Sequence, residues 1–249
     1  MTNTSPGAFS STAKHQVAVS AMFERIAPRY DTANRILSFG VDVFWRRRLV
    51  RGVAAAFLPG SRRRILDLAA GTYDVSIALA DRIPGAFVLA VDSCLPMLQA
   101  GKGKLIRAGG YAKSRIAPIA GDALHLPMND ASVDAVTVSF GLRNMFPRKA
   151  ALAEAHRVLT PGGVFHILEF GAAKCRICGG LYTVYLTRIL PYIGWLVTGD
   201  KEAYSYLART VRDFPAAAVL TEELRAVGFQ EVTARRLWGG IAYLHTGKK

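Results

Sequence analysis

Short apolar runs alternate along the chain with longer stretches whose apolar residues recur every three or four positions. Arg64–Ala70, Ala86–Val91, Ile116–Ile119, Val133–Ser139 and Val164–Phe170 read as strands, the third the weakest, and Glu231–Leu237 and Ile241–His245 as two more. Between them, Val75–Arg82, Leu95–Ala108, Arg148–Leu159, Lys201–Arg212 and Ala216–Val227 have helical spacing, the last with Gly228 as its C-cap. Ahead of the first strand, Phe23–Tyr30 and Ile36–Phe57 are expected to be helical, with a break around Pro28–Asp31. Pro59-Gly60-Ser61, Pro84-Gly85 and Thr160-Pro161-Gly162-Gly163 are turns. Strands that read as unbroken apolar runs are buried on both faces. Their alternation with helices therefore predicts an α/β fold: a doubly wound, mostly parallel sheet with helices on both sides.

The most apolar stretch, Leu181–Thr198, is about long enough to span a bilayer. Arg188 in its middle, with Pro191 and Gly194, favours a lid or an interfacial helix instead. Residues 1–18 are expected to form a flexible tail with no signal-peptide core. Residues 19–249 are expected to form a single domain carrying a lid or substrate insertion around 172–212.

Hydrophobic residues make up 51% of the chain and charged residues 20%, which supplies a core and excludes global disorder. The net charge of +14 points towards polyanionic partners. Much of it is concentrated at Arg46, Arg47, Arg48, Arg51, Arg62, Arg63 and Arg64, among Phe44, Trp45, Leu49 and Val50. That mixture suits an anionic headgroup layer as well as a solvated helix face. No helix-turn-helix, zinc finger or aromatic RNA-binding motif is visible, so no nucleic-acid partner is expected. Three cysteines give no disulfide framework and favour a cytoplasmic setting. Cys175 and Cys178 have CxxC spacing but no second pair to complete a zinc site, so no metal is expected.

Candidate chemistry gathers at the strand ends. Asp67-Leu-Ala-Ala-Gly71-Thr72-Tyr73-Asp74 joins a strand to a helix through small residues, where backbone can approach a ligand. Asp92 ends the next strand 20 positions beyond Thr72, a spacing at which a carboxylate can accept both ribose hydroxyls of an adenosine. The pair does not separate a dinucleotide from S-adenosylmethionine. Asp122 and Ala123 follow the third strand, and Ser139-Phe140-Gly141-Leu142-Arg143-Asn144 leaves the fourth over the same crevice.

These segments, with Phe23–Asp31, Arg157–Gly163, Leu168-Glu169-Phe170, Ala203–Leu207, Phe214-Pro215 and Gly239–His245, resemble the C-methyltransferase family of ubiquinone and menaquinone biosynthesis, within the class I methyltransferase fold. The resemblance runs from about Val19 to the end. It implies a Rossmann-like seven-stranded sheet, S-adenosyl-L-methionine as cofactor, and a prenylated quinol such as a demethylmenaquinol as substrate. Gly71, Thr72, Asp92, Asp122, Ala123 and Ser139 match the family's cofactor positions. Arg143 and Asn144 match the motif that faces the reacting quinol and are the expected catalytic residues. Tyr30, Tyr204, Tyr206 and His245 lie in segments expected to line the substrate cavity. A membrane-dissolved substrate also implies peripheral contact with the inner face of the cytoplasmic membrane; a homodimer is compatible with all of this.

One position departs from the family. Where Gly-Thr-Gly-Asp is usual, Tyr73 replaces the second glycine. If that residue needs positive φ it is strained, and its ring stands to crowd the methionine end of the cofactor. Two alternatives therefore stay open: a non-catalytic cofactor- or quinone-binding relative, and a methyltransferase of another small aromatic or lipid. The general base is also open, between a histidine and an arginine-bound water.

Overall fold

A computed structural model describes residues 17–58, 60–171 and 179–249. Helix α1 (residues 17–26) leads through a 3₁₀ turn, Ala27–Arg29, into α2 (Tyr30–Leu37) and α3 (Val41–Ala55). Then come β1 (Arg63–Leu68), α4 (Asp74–Arg82), β2 (Ala86–Asp92), α5 (Leu95–Arg107), the short α6 (Gly110–Lys113), β3 (Ile116–Ala120) and β4 (Val133–Ser139). The remainder is α7 (Arg148–Val158), β5 (Leu159–Phe170), α8 (Gly179–Val184), a π turn (Tyr185–Ile189), α9 (Leu190–Thr198), α10 (Lys201–Asp213), α11 (Ala217–Val227), β6 (Gln230–Leu237) and β7 (Ala242–Lys248).

The seven strands lie in the order β3-β2-β1-β4-β5-β7-β6. β1 to β5 are mutually parallel where they pair, and β7 runs antiparallel to both neighbours. The expected doubly wound α/β sheet is therefore present, with the chain reversing direction beside β1.

Successive side chains of each inner strand enter opposite layers. In β1, Ile65 joins a core with Leu49 and Val53 of α3, Leu79 of α4 and Leu98 of α5. Leu66 and Leu68 join a core on the other face with Leu152 of α7 and Leu220 and Leu224 of α11. A third cluster lies beyond the carboxyl rim: Met22 and Ile26 of α1, Ala33 and Leu37 of α2, Leu190 of α9, and Tyr204 and Val211 of α10. The chain's first and tenth helices thus share one core above the strand ends.

Two local expectations are corrected. The helix expected over Ile36–Phe57 is interrupted, because Phe39 and Gly40 adopt φ of 51° and 76° and separate α2 from α3. The turn at Thr160–Gly163 is taken into β5, where Gly162 donates to the carbonyl of Lys249 at the end of the chain. The expected flexible tail lies outside the described residues except for 17 and 18, which are already helical. Cys175 and Cys178 also lie outside them.

Candidate active site

β1 ends in a turn in which Ala69, Gly71 and Tyr73 have φ of 57°, 55° and 70°. These reversals carry the backbone across the strand tip and start α4 at Asp74. Tyr73 does hold the left-handed conformation, at the strain foreseen for a non-glycine residue. Its ring, however, is fully buried beneath α5, against Gly101, where an added β-carbon would lie 2.5 Å from Tyr73 Cδ2. The ring is packed beneath α5, and Tyr73 is not among the residues that line the cleft over the rim.

A cleft opens over the rim, holding about 820 Å³ of space continuous with solvent. Gly71, Asp92, Asp122, Ala123, Ser139 and Asn144 line its floor and walls; Ser20, Phe23 and Tyr30 close it from above. The Asp92 carboxylate is pinned at both oxygens, Oδ2 accepting from Gly71 N and Oδ1 from Cys94 N, each at 2.8 Å. Burial raises its pKa, and the two backbone N–H groups oppose that rise. Asp122 Oδ1 accepts from Leu124 N at 2.9 Å. Ser139 lines the cleft, and its Oγ is buried with no hydrogen-bond partner among the described residues.

Thr72 does not face the cleft. Its hydroxyl donates to Asp31 Oδ1 at 2.6 Å and accepts from Lys104 Nζ at 2.7 Å. Lys104 also pairs with Asp31 at 2.7 Å and Asp74 at 2.6 Å, and Arg46 bridges Asp74 and Asp42. This ionic network ties α2 and α3 to the turn after β1 and to α5. The expectation for Thr72 is corrected accordingly: its side chain fastens the cover, and only its backbone belongs to the turn.

Arg143 and Asn144 occupy a 3₁₀ turn after β4 and diverge. Asn144 lines the cleft, and its Oδ1 accepts from Tyr206 Oη at 3.2 Å. Arg143 does not line it. Its guanidinium is held by Glu169, Nη1 to Oε1 at 2.9 Å, by the carbonyl of Phe140, and against the Phe170 ring. Glu169 Oε2 accepts from Arg143 N at 3.2 Å, and Oε1 from Phe170 N at 2.9 Å. Arg143 Nε has no partner among the described residues. Burial raises the pKa of Tyr182 and of Tyr206, and the charge of Arg143 pulls both back, so the guanidinium field reaches both phenols.

The remaining candidates separate. Tyr30 is at the cleft and packs edge-on against Phe23 at 6.0 Å. Tyr206 reaches it through Asn144. Tyr204 is buried in the cluster beyond the carboxyl rim, filling the space above Gly194, where a β-carbon would overlap its ring. His245 sits in the middle of β7 against α11, Nε2 3.3 Å from the carbonyl of Ala217. Neither lines the cleft, and both expectations are corrected to packing roles. Sequence reasoning assigned no role to Glu169, although it stands in the Leu168-Glu169-Phe170 segment, nor to Asp31. Lys104 carries no signal, being one of two lysines, with Lys102, on a helix that alternates buried and exposed residues.

The family model described as the ubiE/COQ5 methyltransferase family matches residues 10–249. A demethylmenaquinone methyltransferase of Thermus thermophilus is 42% identical over 228 residues, covering 92% of this chain and all of the relative. The ubiquinone/menaquinone biosynthesis C-methyltransferase UbiE of Syntrophotalea carbinolica is 42% identical over 226 residues, covering 91% of this chain and 92% of the relative. Among solved structures, a SAM-dependent methyltransferase from Aquifex aeolicus superposes with a TM-score of 0.60 at 13% identity, covering 86% of this chain and 92% of that one; it shares the fold.

Proposed function

We infer that this chain, which belongs to the ubiE/COQ5 methyltransferase family, transfers the methyl group of S-adenosyl-L-methionine to a ring carbon of a demethylmenaquinol or a closely related prenylated quinol. The observation that carries the reading is the cleft itself. It joins a pinned carboxylate, Asp92, an unpartnered buried hydroxyl, Ser139, and the amide of Asn144 in one hollow.

The residues fit the cofactor. Asp92, with lone pairs left on both oxygens, is suited to the ribose hydroxyls; Asp122 and Ala123 to the adenine; Gly71 and Ser139 to the amino-acid end. When bound, S-adenosylmethionine supplies an electrophilic methyl on a sulfonium. The protein has to hold a ring carbon in line with it, and such positioning contributes several kcal/mol. Ionisation of a ring hydroxyl, its proton passing to water, moves electron density onto the adjacent unsubstituted carbon. Once that carbon holds the methyl, its own proton leaves to water and the aromatic ring is restored. Asn144 meets the oxygen where that charge develops, and the nearby Arg143 charge favours the ionised form, with Nε left for a bridging water. Desolvation inside the cleft strengthens both effects.

A prenylated substrate resides in the bilayer, so the protein must reach its surface. Among the described residues no helix is long and apolar enough to cross a membrane. The lid instead exposes Val184, Ile189, Tyr192, Trp195 and Leu196, next to the largely exposed Phe39, whose ring lies 6.3 Å from Tyr185. Arg188 is exposed on the same helical run, and Arg47 and Arg51 of α3 are exposed too, a combination of apolar and basic surface suited to peripheral contact with anionic lipid.

The test is turnover of a short-chain demethylmenaquinol, kept reduced, with methyl-labelled cofactor. Labelled menaquinol is expected. Failure to bind the cofactor by calorimetry at millimolar concentration would favour the reading as a non-catalytic relative. With the Tyr73 ring buried under α5, the feature that motivated that reading loses its force.

A further inference from the structure

Asn144 is the one side chain of the Arg143–Asn144 pair that lines the cleft, and its usefulness depends on which end of its amide faces in. An asparagine amide has an acceptor end and a donor end on opposite sides, so whatever engages one end fixes the direction of the other. Here Oδ1 accepts from Tyr206 Oη at 3.2 Å. Tyr206 is itself held from α10, with the Arg209 guanidinium over its ring at 5.5 Å and the lid core beneath. We propose that Tyr206 is a positioning residue: by donating to Oδ1 it commits the Nδ2 amide hydrogens of Asn144 to the cleft, where they meet the substrate oxygen that becomes anionic. This rests on the methyl-transfer reading and adds to it the source of the amide's polarity.

A flipped amide would present its carbonyl oxygen to that anion, turning an attraction into a repulsion. The geometry also links the lid to the chemistry, because the donor comes from α10 and the acceptor from the turn after β4. A lid that lifts withdraws the hydroxyl, and Asn144 loses its preferred orientation.

Tyr206→Phe keeps the ring, the Arg209 contact and the lid packing while deleting the hydroxyl. Steady-state turnover of a demethylmenaquinol should fall about three- to tenfold in kcat, the worth of one oriented hydrogen bond, with KM for the cofactor unchanged. In an Asn144→Ala background the same change should have no further effect. A full additional loss there, or wild-type kcat in the single variant, overturns the proposal.

A second readout needs no turnover. With S-adenosylhomocysteine present, 4-methoxy-1-naphthol is bound and its ionisation followed by ultraviolet absorbance. Wild type should lower its pKa, and Tyr206→Phe should reverse part of that lowering. An equal pKa in both proteins overturns the proposal, whereas no binding by the wild type defeats the methyl-transfer reading itself.

Discussion

Arg143 and Glu169 form a buried pair, Nη1 to Oε1 at 2.9 Å, with their side chains 6% and 0% exposed. Two charges so placed need one another, because removing one partner strands the other in a medium that cannot solvate it.

Arg143→Ala is therefore expected to lower unfolding stability by about 3–5 kcal/mol, the usual consequence of stranding a buried charge. It should also reduce kcat by about a hundredfold or more, as loss of a charge beside a developing anion does. Cofactor affinity should stay within a few-fold, since Asp92, Asp122 and Ser139 are untouched. Urea melts, initial rates and calorimetry separate the three quantities. Retained turnover in a folded variant would remove Arg143 from the chemistry.

The same pair illustrates how the chain can be read. Strand ends were legible because parallel strands buried on both faces appear as apolar runs, and the residues just after such a run stand at the rim; Asp92, Asp122 and Ser139 were found in that way. Direction was not legible. Arg143 and Asn144 are neighbours on a 3₁₀ turn and diverge, one into Glu169 and one into the cleft. Tyr204 and Tyr206, two apart on a helix, diverge likewise, into the lid core and towards Asn144. Thr72 faces an ionic network whose members, Asp31 and Lys104, are more than 70 residues apart, a distance across which spacing carries no information. The break between α2 and α3 hides inside an amphipathic pattern that Phe39 continues in composition but not in backbone angle.

Tyr73 and Gly101 form a second dependent pair. Gly101→Ala would force a β-carbon to 2.5 Å from the Tyr73 ring and 2.9 Å from the Thr72 backbone carbonyl carbon. It should cost about 1–3 kcal/mol by overpacking. Tyr73→Gly relieves the left-handed strain but empties a buried site, so it too should destabilise, by about 2–4 kcal/mol. Combined, the two should be less harmful than their sum, because the ring is what the new methyl meets first. Additive losses in denaturant melts would show that the ring is not the obstacle. Cofactor affinity of Tyr73→Gly should be near that of the wild type.

Lys104 holds Asp31 of α2 and Asp74 at the start of α4 together. Lys104→Met should loosen α2 over the cleft, speeding cofactor dissociation about three- to tenfold by analogy with the loss of a partly exposed charged contact. Stopped-flow displacement should show the wild-type rate rising with salt, since salt screens such pairs, and the variant rate changing less. Equal salt responses would sink this account of the cover.

Asp67 is wholly buried between Ser76 Oγ at 2.5 Å and Thr137 Oγ1 at 3.0 Å. Burial raises its pKa from 3.8 to about 6, with both hydroxyls and Arg46 opposing and Asp92 adding to the rise. The folded state then holds a proton between pH 4 and 6 that the unfolded state has lost, so stability from this group falls as pH rises through that window. Asp67→Asn removes the titration. The stability of wild type minus variant should decline by about 2.4 kcal/mol from pH 4 to pH 7, at about 1.4 kcal/mol per unit of pKa difference and with the unfolded carboxyl still partly protonated at pH 4. A difference that stays flat in urea melts across that range would mean the carboxyl is not desolvated.

The lid face is open to a more direct test. Trp195 and Leu196 are 46% and 61% exposed on the outer side of α9, and Arg188 lies on the same helical run. Sinking the remaining apolar surface of such side chains into an interface gains at most about 1.5–3 kcal/mol each, and each nearby arginine adds about 1 kcal/mol against anionic lipid. Trp195→Ser with Leu196→Ser should therefore weaken flotation with anionic liposomes at least tenfold. Raising the salt should weaken the wild type as well, through its arginines. Neither substitution touches the cleft, so turnover of a short-chain substrate in solution should be unchanged while that of a long-chain substrate in vesicles falls. If wild-type protein fails to float with anionic vesicles at low salt, the membrane contact is refuted and the exposed stripe needs another occupant.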